Sequence, residues 1–112
     1  MSEEIAKILV DIESINFSFK KYFTLTSGLK SPVYVDCRKI ISFTNERDFI
    51  INKAIQYLED NKIQSEIIAG GETAGIPYAS FISQKLKKPM IYIRKKPKGF
   101  GINKQIEGQF IK

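Results

Sequence analysis

Apolar residues recur at three- and four-residue spacing in two parts of the chain, a pattern typical of amphipathic helices. The first part covers residues 3–15, with Ser2 placed to act as an N-cap, and the second covers residues 45–61. Between them, apolar and polar positions alternate over residues 22–26 and 33–36, on either side of a turn that contains Gly and Pro. The alternation predicts two extended segments that pair as a hairpin.

Beyond residue 65 the pattern becomes that of an α/β protein. A short apolar segment ends in a glycine-rich turn, a helical pattern covers residues 76–86, and a second apolar segment follows. This order predicts a strand–helix–strand unit over Glu66–Arg94, with two parallel strands and a helix packed on the sheet. Three aromatic residues at helical positions are expected in the core: Phe49, Tyr57 and Phe81.

The composition is that of one ordinary globular domain, with 112 residues of which 43% are hydrophobic and 27% charged. No apolar run approaches the roughly 18 residues of a membrane span. The first residues are acidic and amphipathic, unlike a secretory signal, so we expect a cytoplasmic protein. The single cysteine, Cys37, excludes an internal disulfide, and the lack of histidine excludes the usual zinc sites. We expect Cys37 to be a small packed residue.

The net charge of +6 is concentrated at one end of the chain. Residues 1–83 carry 9 Lys or Arg against 11 Asp or Glu, whereas residues 84–112 carry 9 against 1. A basic segment of this kind attracts phosphate, in nucleic acid or in a small molecule, although a solvated segment that only maintains solubility is the alternative. Five of the cations lie among glycines: Arg94, Lys95, Lys96, Lys98 and Lys104.

The stretch AGGETAGIP, Ala69–Pro77, has the form of a phosphate-binding turn between a strand and a helix. Close packing of the helix on the strand is the structural alternative, and the stretch matches neither a Walker loop nor GxGxxG. Since ligands gather where parallel strands end, the turn and the basic segment should open on the same sheet edge, with the basic segment as a mobile lid. Glu72 is expected to serve the helix dipole rather than a magnesium ion, and Asp36 and Arg38 to orient neighbouring strands or form an exposed pair.

Three segments together resemble the orotate phosphoribosyltransferases, which are type I phosphoribosyltransferases: FTLTSGLKSPVYVDCR, IIAGGETAGIPYASFIS and PMIYIRKKPKGFGINKQIEG. The resemblance runs through nearly all of the chain, in order. It implies one truncated α/β domain with an incomplete type I phosphoribosyltransferase fold. Residues 1–42 would supply an N-terminal helix and hood strands, and residues 43–112 a partial parallel sheet with the basic lid loop.

The resemblance further implies transfer of ribose 5-phosphate from phosphoribosyl pyrophosphate to orotate, with Mg²⁺, in a homodimer or together with a complementing chain. Lys98 is the implied catalytic residue. The residues implied to contact phosphoribosyl pyrophosphate are Arg94, Lys95, Lys98, Thr73 and Ala74. The residues implied to form the hood over orotate are Thr26, Ser27, Gly28, Tyr34 and Val35.

The chain departs from the family pattern at Thr26, where some members have lysine, and at Phe100, where many have histidine. The family's acidic pair followed by a Thr- and Gly-rich loop is absent, so the chain resembles roughly the first half of the enzyme. We therefore expect it to be inactive alone and either marginally stable or oligomeric. The alternatives are a nucleic-acid-binding protein, with Tyr92 and Phe100 as stacking groups, and a partner-dependent regulatory fragment.

Overall fold

The computed structural model describes residues 2–97 and 105–109. The chain divides into two compact units, residues 1–50 and 51–112. None of the helices within the described ranges has the length and apolarity needed to cross a membrane. The elements in chain order are α1 (Ser2–Asp11), β1 (Ile15–Phe17), β2 (Phe23–Thr24), β3 (Lys30–Ser31), β4 (Val33–Val35), a 3-10 helix (Cys37–Ser42), α2 (Thr44–Asp60), β5 (Ile68–Gly71), α3 (Gly75–Leu86), β6 (Met90–Ile93) and β7 (Ile106–Glu107).

Helix α1 is shorter than its apolar spacing predicts, because Glu13 adopts the left-handed conformation with φ of 60°. The N–H of Glu13 donates to the carbonyl of Val10, and the N–H of Ser14 donates to that of Leu9. These two bonds form a Schellman motif, which ends a helix. The predicted helix over residues 3–15 is therefore wrong at its C-terminal end. Ser2, expected as the N-cap, is already a helical residue.

The first unit contains two small antiparallel pairs rather than the predicted hairpin. Strand β1 pairs with β4, with Ile15 opposite Val35, and β2 pairs with β3, with Phe23 opposite Ser31. Both extended segments therefore exist, but the prediction that they pair with each other is wrong. The partner of β4 is β1, which contains Ile15, a residue that the apolar spacing assigned to the first helix. The partner of β2 is β3, which is only two residues long and was not predicted.

The 3-10 helix follows Asp36, whose carboxylate accepts a hydrogen bond from the backbone N–H of Arg38. Ile40 is buried in this helix, with 4% of its surface exposed. Cys37 is exposed, so the prediction that it is packed is wrong. Cys37 is the first residue of this short helix, one residue beyond β4, where few neighbours cover it.

The second unit contains the predicted strand–helix–strand arrangement. Strands β5 and β6 are parallel, with Ile68 opposite Met90 and Gly71 opposite Ile93, and α3 connects them. Strand β7 extends the sheet on the far side of β6 in the antiparallel direction, giving the order β5-β6-β7. Sequence reasoning did not predict β7, because a two-residue strand has no alternation of its own to recognise.

Helix α2 covers nearly the predicted residues, but a different face of it is buried. Ile51 is 2% exposed, whereas Tyr57 is 51% exposed, so the prediction that Tyr57 is core is wrong. Six residues on a helix with 3.6 residues per turn place two side chains about 120° apart, and burial of Ile51 therefore leaves Tyr57 off the buried side. Phe49 and Phe81 are half-buried.

Candidate functional site

The glycine-rich turn and the start of the basic segment lie at the same edge of the sheet. Both follow parallel strands, and the backbone N–H of Glu72 donates a 2.8 Å hydrogen bond to the carbonyl of Ile93. This juxtaposition was predicted, and it is confirmed for the described part of the basic segment. Lys98 and Lys104 lie outside the described residues.

The two glycines at the end of β5 have different roles. A Cβ on Gly70 would lie 2.7 Å from the carbonyl oxygen of Gly75 and 2.9 Å from the Cβ of Ala79, so only glycine lets α3 approach this closely. A Cβ on Gly71 would meet nothing within 4 Å. The packing alternative therefore accounts for Gly70 and leaves Gly71 unexplained.

Residues Thr73 and Ala74 complete the turn and are exposed. The carbonyl of Thr73 accepts a hydrogen bond of 3.2 Å from the N–H of Ile76 in the first turn of α3. The peptide bond between Glu72 and Thr73 is cis. The exposed turn thus lies where β5 gives way to α3, the position expected of an anion-binding turn.

Arg94 is held on one side by β7. Its Nε and Nη2 donate to Glu107 Oε2 at 3.4 and 3.3 Å, and its guanidinium lies 5.9 Å from the centre of the Tyr92 ring. Tyr92 and Arg94 project from the same face of the chain by strand alternation, and Tyr92 is paired with Glu107 across the strands. The guanidinium is therefore oriented by a long ion pair and by an aromatic ring within cation–π distance.

The carboxylate of Glu72 reaches the basic segment. Its Oε2 accepts a hydrogen bond of 3.2 Å from the backbone N–H of Lys95, and its Oε1 lies 3.9 Å from Arg94 Nη1. The carboxylate of Glu72 therefore already lies between Arg94 and Lys95, two of the residues predicted to hold a diphosphate. A role for Glu72 at the helix dipole stays a prediction.

In the first unit, the predicted residues Thr26, Ser27 and Gly28 form the exposed turn between β2 and β3. The N–H of Gly28 donates to the carbonyl of Leu25 at 2.8 Å, and Gly28 has φ of 89°. A residue with a side chain is strained at that angle, so the turn requires glycine there. The hydroxyl of Ser27 accepts from the N–H of Leu29 at 3.4 Å.

Tyr34 and Val35, the remaining predicted orotate residues, lie on β4. The ring of Tyr34 is 5.9 Å from that of Phe23 on β2, and its Oη accepts a 3.5 Å hydrogen bond from Arg38 Nη2. Val35 projects to the other face of the strand. The structure thus places Tyr34 against Phe23 in the β2–β3 hairpin, which carries the turn. Val35 is paired with Ile15 of β1.

Asp36 and Arg38 form an exposed ion pair of 2.8 Å, the second of the two arrangements expected for them. The hydrogen bond from Arg38 holds the pKa of Asp36 below its ordinary value of 3.8, and the same bond raises the pKa of Arg38. The pair also orients the guanidinium that contacts Tyr34.

Sequence reasoning missed Glu107 as a partner of Arg94. A signal was present, because Glu107 is the single acidic residue among the 9 cations of residues 84–112. Tyr92, a stacking group in the nucleic-acid alternative, lies beside Arg94, and Phe100, the other such group, lies outside the described residues. The predicted orotate residues and the described diphosphate residues belong to different units of the chain.

A cavity of about 380 Å³ opens between the C-terminal ends of α2 and α3. Apolar side chains of Leu58, Ile63 and Leu86 line it, together with Lys62 and Lys88. None of the predicted site residues lines this cavity.

Comparison with known proteins gives a consistent result over almost the whole chain. No protein-family profile matches it. The orotate phosphoribosyltransferase of Rhizobium rhizogenes is 47% identical over 110 residues, covering 96% of this chain and 47% of that protein. That of Cereibacter sphaeroides is 47% identical over 112 residues, covering 95% and 48%. The chain therefore spans about half the length of the curated relatives it matches.

Solved structures agree with the sequence comparison. The UMP synthase of Leishmania donovani superposes with a TM-score of 0.77 at 33% identity, over 97% of this chain and 22% of that one. The orotate phosphoribosyltransferase of Aeropyrum pernix gives a TM-score of 0.76 at 27% identity, over 92% and 56%. The α/β arrangement described above is thus that of a type I phosphoribosyltransferase in part. By sequence and by fold, the chain is a homologue of the orotate phosphoribosyltransferases that corresponds to about half of such a protein.

Proposed function

We propose that the chain belongs to an enzyme that transfers ribose 5-phosphate from phosphoribosyl pyrophosphate to orotate, giving orotidine monophosphate and pyrophosphate. The observation that carries this proposal is the 47% identity maintained over 96% of the chain with an orotate phosphoribosyltransferase. An alignment over 96% of the chain includes residues of both the first and the second unit.

The geometry of the sheet edge supports a diphosphate site. The guanidinium of Arg94, the backbone N–H of Lys95 and the open turn at Thr73 meet where β5 and β6 end. Transfer of the ribosyl group leaves a multiply charged diphosphate, and positioned cations and N–H groups stabilise the charge that develops on it. Lys98, proposed as the catalytic lysine, continues this basic segment in the sequence.

The exposed turn and β4 support a site for a small planar ring. Thr26 and Ser27 place hydroxyl and backbone groups at the turn, and Gly28 leaves the backbone uncovered. Tyr34 adds an aromatic ring fixed by Phe23 and Arg38. Hydrogen bonds along one ring edge and an aromatic contact are the usual means of binding such a ligand.

We also propose that Mg²⁺ takes part in the reaction. The residues that the structure describes contain no group of three or more Asp, Glu, Cys or His side chains that could hold an ion. Glu72, a carboxylate beside the proposed diphosphate residues, already contacts Arg94 and Lys95. This part of the chain does not fit a protein-held magnesium centre.

A second subunit or a complementing chain is part of the proposal, as is a cytoplasmic location. Several large apolar side chains of the first unit are exposed, among them Phe17 at 57%, Phe19 at 75% and Leu29 at 69%. Exposed apolar surface of this kind favours association. The exposed thiol of Cys37 persists best in a reducing compartment.

The proposal is tested by measuring orotidine monophosphate formation from orotate, phosphoribosyl pyrophosphate and Mg²⁺. We expect no turnover by residues 1–112 alone and turnover when the unmatched half of the Rhizobium rhizogenes relative is added as a second polypeptide. Arg94→Ala should abolish the restored activity, whereas Lys20→Ala, an exposed cation of the first unit, should retain it. Inactivity of the mixture, together with failure of the chain to bind diphosphate or orotate, would contradict the proposal.

A further inference from the structure

Glu72 and Glu107 contact the same guanidinium in different ways. Glu107 accepts from two nitrogens of Arg94, at 3.3 and 3.4 Å, and both side chains are partly buried. Glu72 is 3.9 Å from Arg94 Nη1, beyond hydrogen-bonding distance, and its other oxygen accepts from the backbone N–H of Lys95. Arg94 therefore makes two long hydrogen bonds with Glu107, whereas Glu72 lies too far from its guanidinium to make one.

The position that Glu72 occupies is one that suits a phosphate oxygen. A guanidinium nitrogen and a backbone N–H converge on its carboxylate, and these are the donor types that bind phosphate in proteins. Glu72 also belongs to the glycine-rich turn, where its N–H is fixed to the carbonyl of Ile93. The carboxylate thus takes a place in the turn that a ligand anion would otherwise fill.

We propose that Glu72 is an internal competitor for the diphosphate: in the unliganded chain its carboxylate fills the anion position between Arg94 and Lys95, and the ligand has to displace it. Glu107 is the positioning residue that keeps Arg94 in place during the exchange. The inference rests on the diphosphate site proposed above and adds a residue that governs access to it.

Displacement is favourable because the two anions differ in charge and in number of acceptors. A diphosphate presents several oxygens to Arg94 Nη1 and the N–H of Lys95 together, whereas Glu72 meets one of them at hydrogen-bonding distance. The Glu72 side chain is 29% exposed, so its carboxylate is not sealed from water and can be hydrated when the ligand displaces it. The internal anion should therefore yield to diphosphate and lower its apparent affinity.

The test measures binding of inorganic pyrophosphate to residues 1–112 by calorimetry, without added metal. The apparent Kd for pyrophosphate is the intrinsic Kd divided by the fraction of molecules in which Glu72 has left the anion position. If that fraction is about a tenth, Glu72→Gln lowers the Kd about tenfold. Glu66→Gln removes an equal charge at the opposite end of β5 and should leave Kd within about twofold. Glu72→Asp keeps the charge but shortens the side chain by one methylene group, which draws the carboxylate away from the Lys95 N–H, so it separates occupancy of the position from charge next to Arg94.

Competition requires that Glu72→Asp, which keeps the charge, also lower Kd, though by less than Glu72→Gln does. A lower Kd in Glu72→Gln with no change in Glu72→Asp would show a simple charge effect, and an unchanged or higher Kd in Glu72→Gln would show that the carboxylate does not compete. Either result overturns the inference while leaving the diphosphate site intact. Absence of binding in the wild-type chain and in all variants would instead contradict the diphosphate site, and the inference with it.

A second measurement needs no substitution. The carboxyl carbon of Glu72, observed by NMR during a pyrophosphate titration of the wild-type chain, should shift with the same Kd that calorimetry gives. The backbone amide of Lys95, which donates to Glu72 in the unliganded chain, should shift in parallel. A change at Lys95 with no change at Glu72 would mean that the ligand binds beside the carboxylate, and the competitor role would be wrong.

Discussion

The N–H of Glu72 lies 2.8 Å from the carbonyl oxygen of Ile93 and donates a hydrogen bond to it. The bond extends the parallel pairing of β5 and β6 by one residue beyond Gly71 and Ile93, the last opposed pair. It fixes the start of the turn relative to the start of the basic segment. The position of the candidate anion site is therefore a consequence of strand register, and register in turn depends on how α3 packs on β5.

That packing predicts a large effect of Gly70→Ala on stability. The new methyl group would lie within 2.9 Å of both Gly75 O and the Cβ of Ala79, and neither atom belongs to a flexible side chain. We expect the free energy of unfolding to fall by about 1–3 kcal/mol, the usual cost of overpacking. Urea unfolding followed by circular dichroism measures the change.

Gly71→Ala is the matched control, since its methyl group would meet nothing within 4 Å. It should leave the free energy of unfolding unchanged or raise it by up to about 1 kcal/mol, because alanine reduces the freedom of the unfolded chain. A Gly70→Ala chain as stable as Gly71→Ala would show that α3 does not approach β5 as described.

The second unit was predictable because its signals are local. Two apolar runs, a helical pattern and paired glycines define a strand–helix–strand unit, and parallel strands bring their ends together whatever the details of packing. The meeting of the turn with Arg94 and Lys95 follows from this topology. Glu107 does not, because it reaches Arg94 through β7, a two-residue strand whose pairing is settled by contacts distant in sequence.

The first unit was harder to predict for a different reason. Helix α1 ends at Glu13 in a conformation normally signalled by glycine, and the sequence offers no glycine there. The apolar Ile15 then continued the helical spacing although it belongs to β1. Burial of α2 on the Ile51 face rather than the Tyr57 face depended on packing that periodicity alone does not determine.

Ser14 predicts a stabilising substitution. It is fully buried, and its hydroxyl oxygen has no hydrogen-bond partner among the residues that the structure describes. A buried hydroxyl without a partner costs about 1–3 kcal/mol, so Ser14→Ala should raise the free energy of unfolding by about 1 kcal/mol. Its backbone bonds to Leu9 and Asp36 do not involve the side chain and remain.

Replacing serine by alanine should have the opposite effect on the free energy of unfolding at Ser31. Its hydroxyl donates to the carbonyl of Val33 at 2.8 Å and accepts from the N–H of that residue at 3.1 Å. Ser31→Ala removes both bonds and should lower the free energy of unfolding by about 1 kcal/mol. If Ser14→Ala destabilises the chain as much as Ser31→Ala does, the buried hydroxyl has a partner after all.

The exposed pair of Asp36 and Arg38 predicts a pH effect. The hydrogen bond from Arg38 lowers the pKa of Asp36 from 3.8, so the folded chain holds this proton less tightly than the unfolded chain. The contribution of the pair to stability is therefore present above the unfolded pKa and is lost as pH falls through the folded pKa. NMR titration of the Asp36 carboxyl carbon measures the folded value directly.

Arg38→Ala should return the Asp36 pKa towards 3.8, since it removes the side-chain hydrogen bond that is the largest cause of the shift. Lys39→Ala is the control, because Lys39 acts on Asp36 only through charge and is the smallest of the causes. We expect its effect on the pKa to be clearly smaller. Equal shifts in the two variants would mean that general positive charge, rather than the hydrogen bond, sets the pKa.

Helix α3 ends at Lys87, which has φ of 54° and lies in the left-handed region. The N–H of Lys88 donates to the carbonyl of Ser83 at 3.0 Å, a bond of the Schellman type that requires this conformation. Side chains disfavour it by about 1–2 kcal/mol, whereas glycine adopts it freely. Lys87→Gly should therefore raise the free energy of unfolding by about 1 kcal/mol, although glycine is normally destabilising, and thermal unfolding should show a higher Tm.

Gln84→Gly, at an exposed position within the same helix, is the control and should lower the free energy of unfolding by a similar amount. Loss of stability in both variants would show that α3 does not end in this conformation.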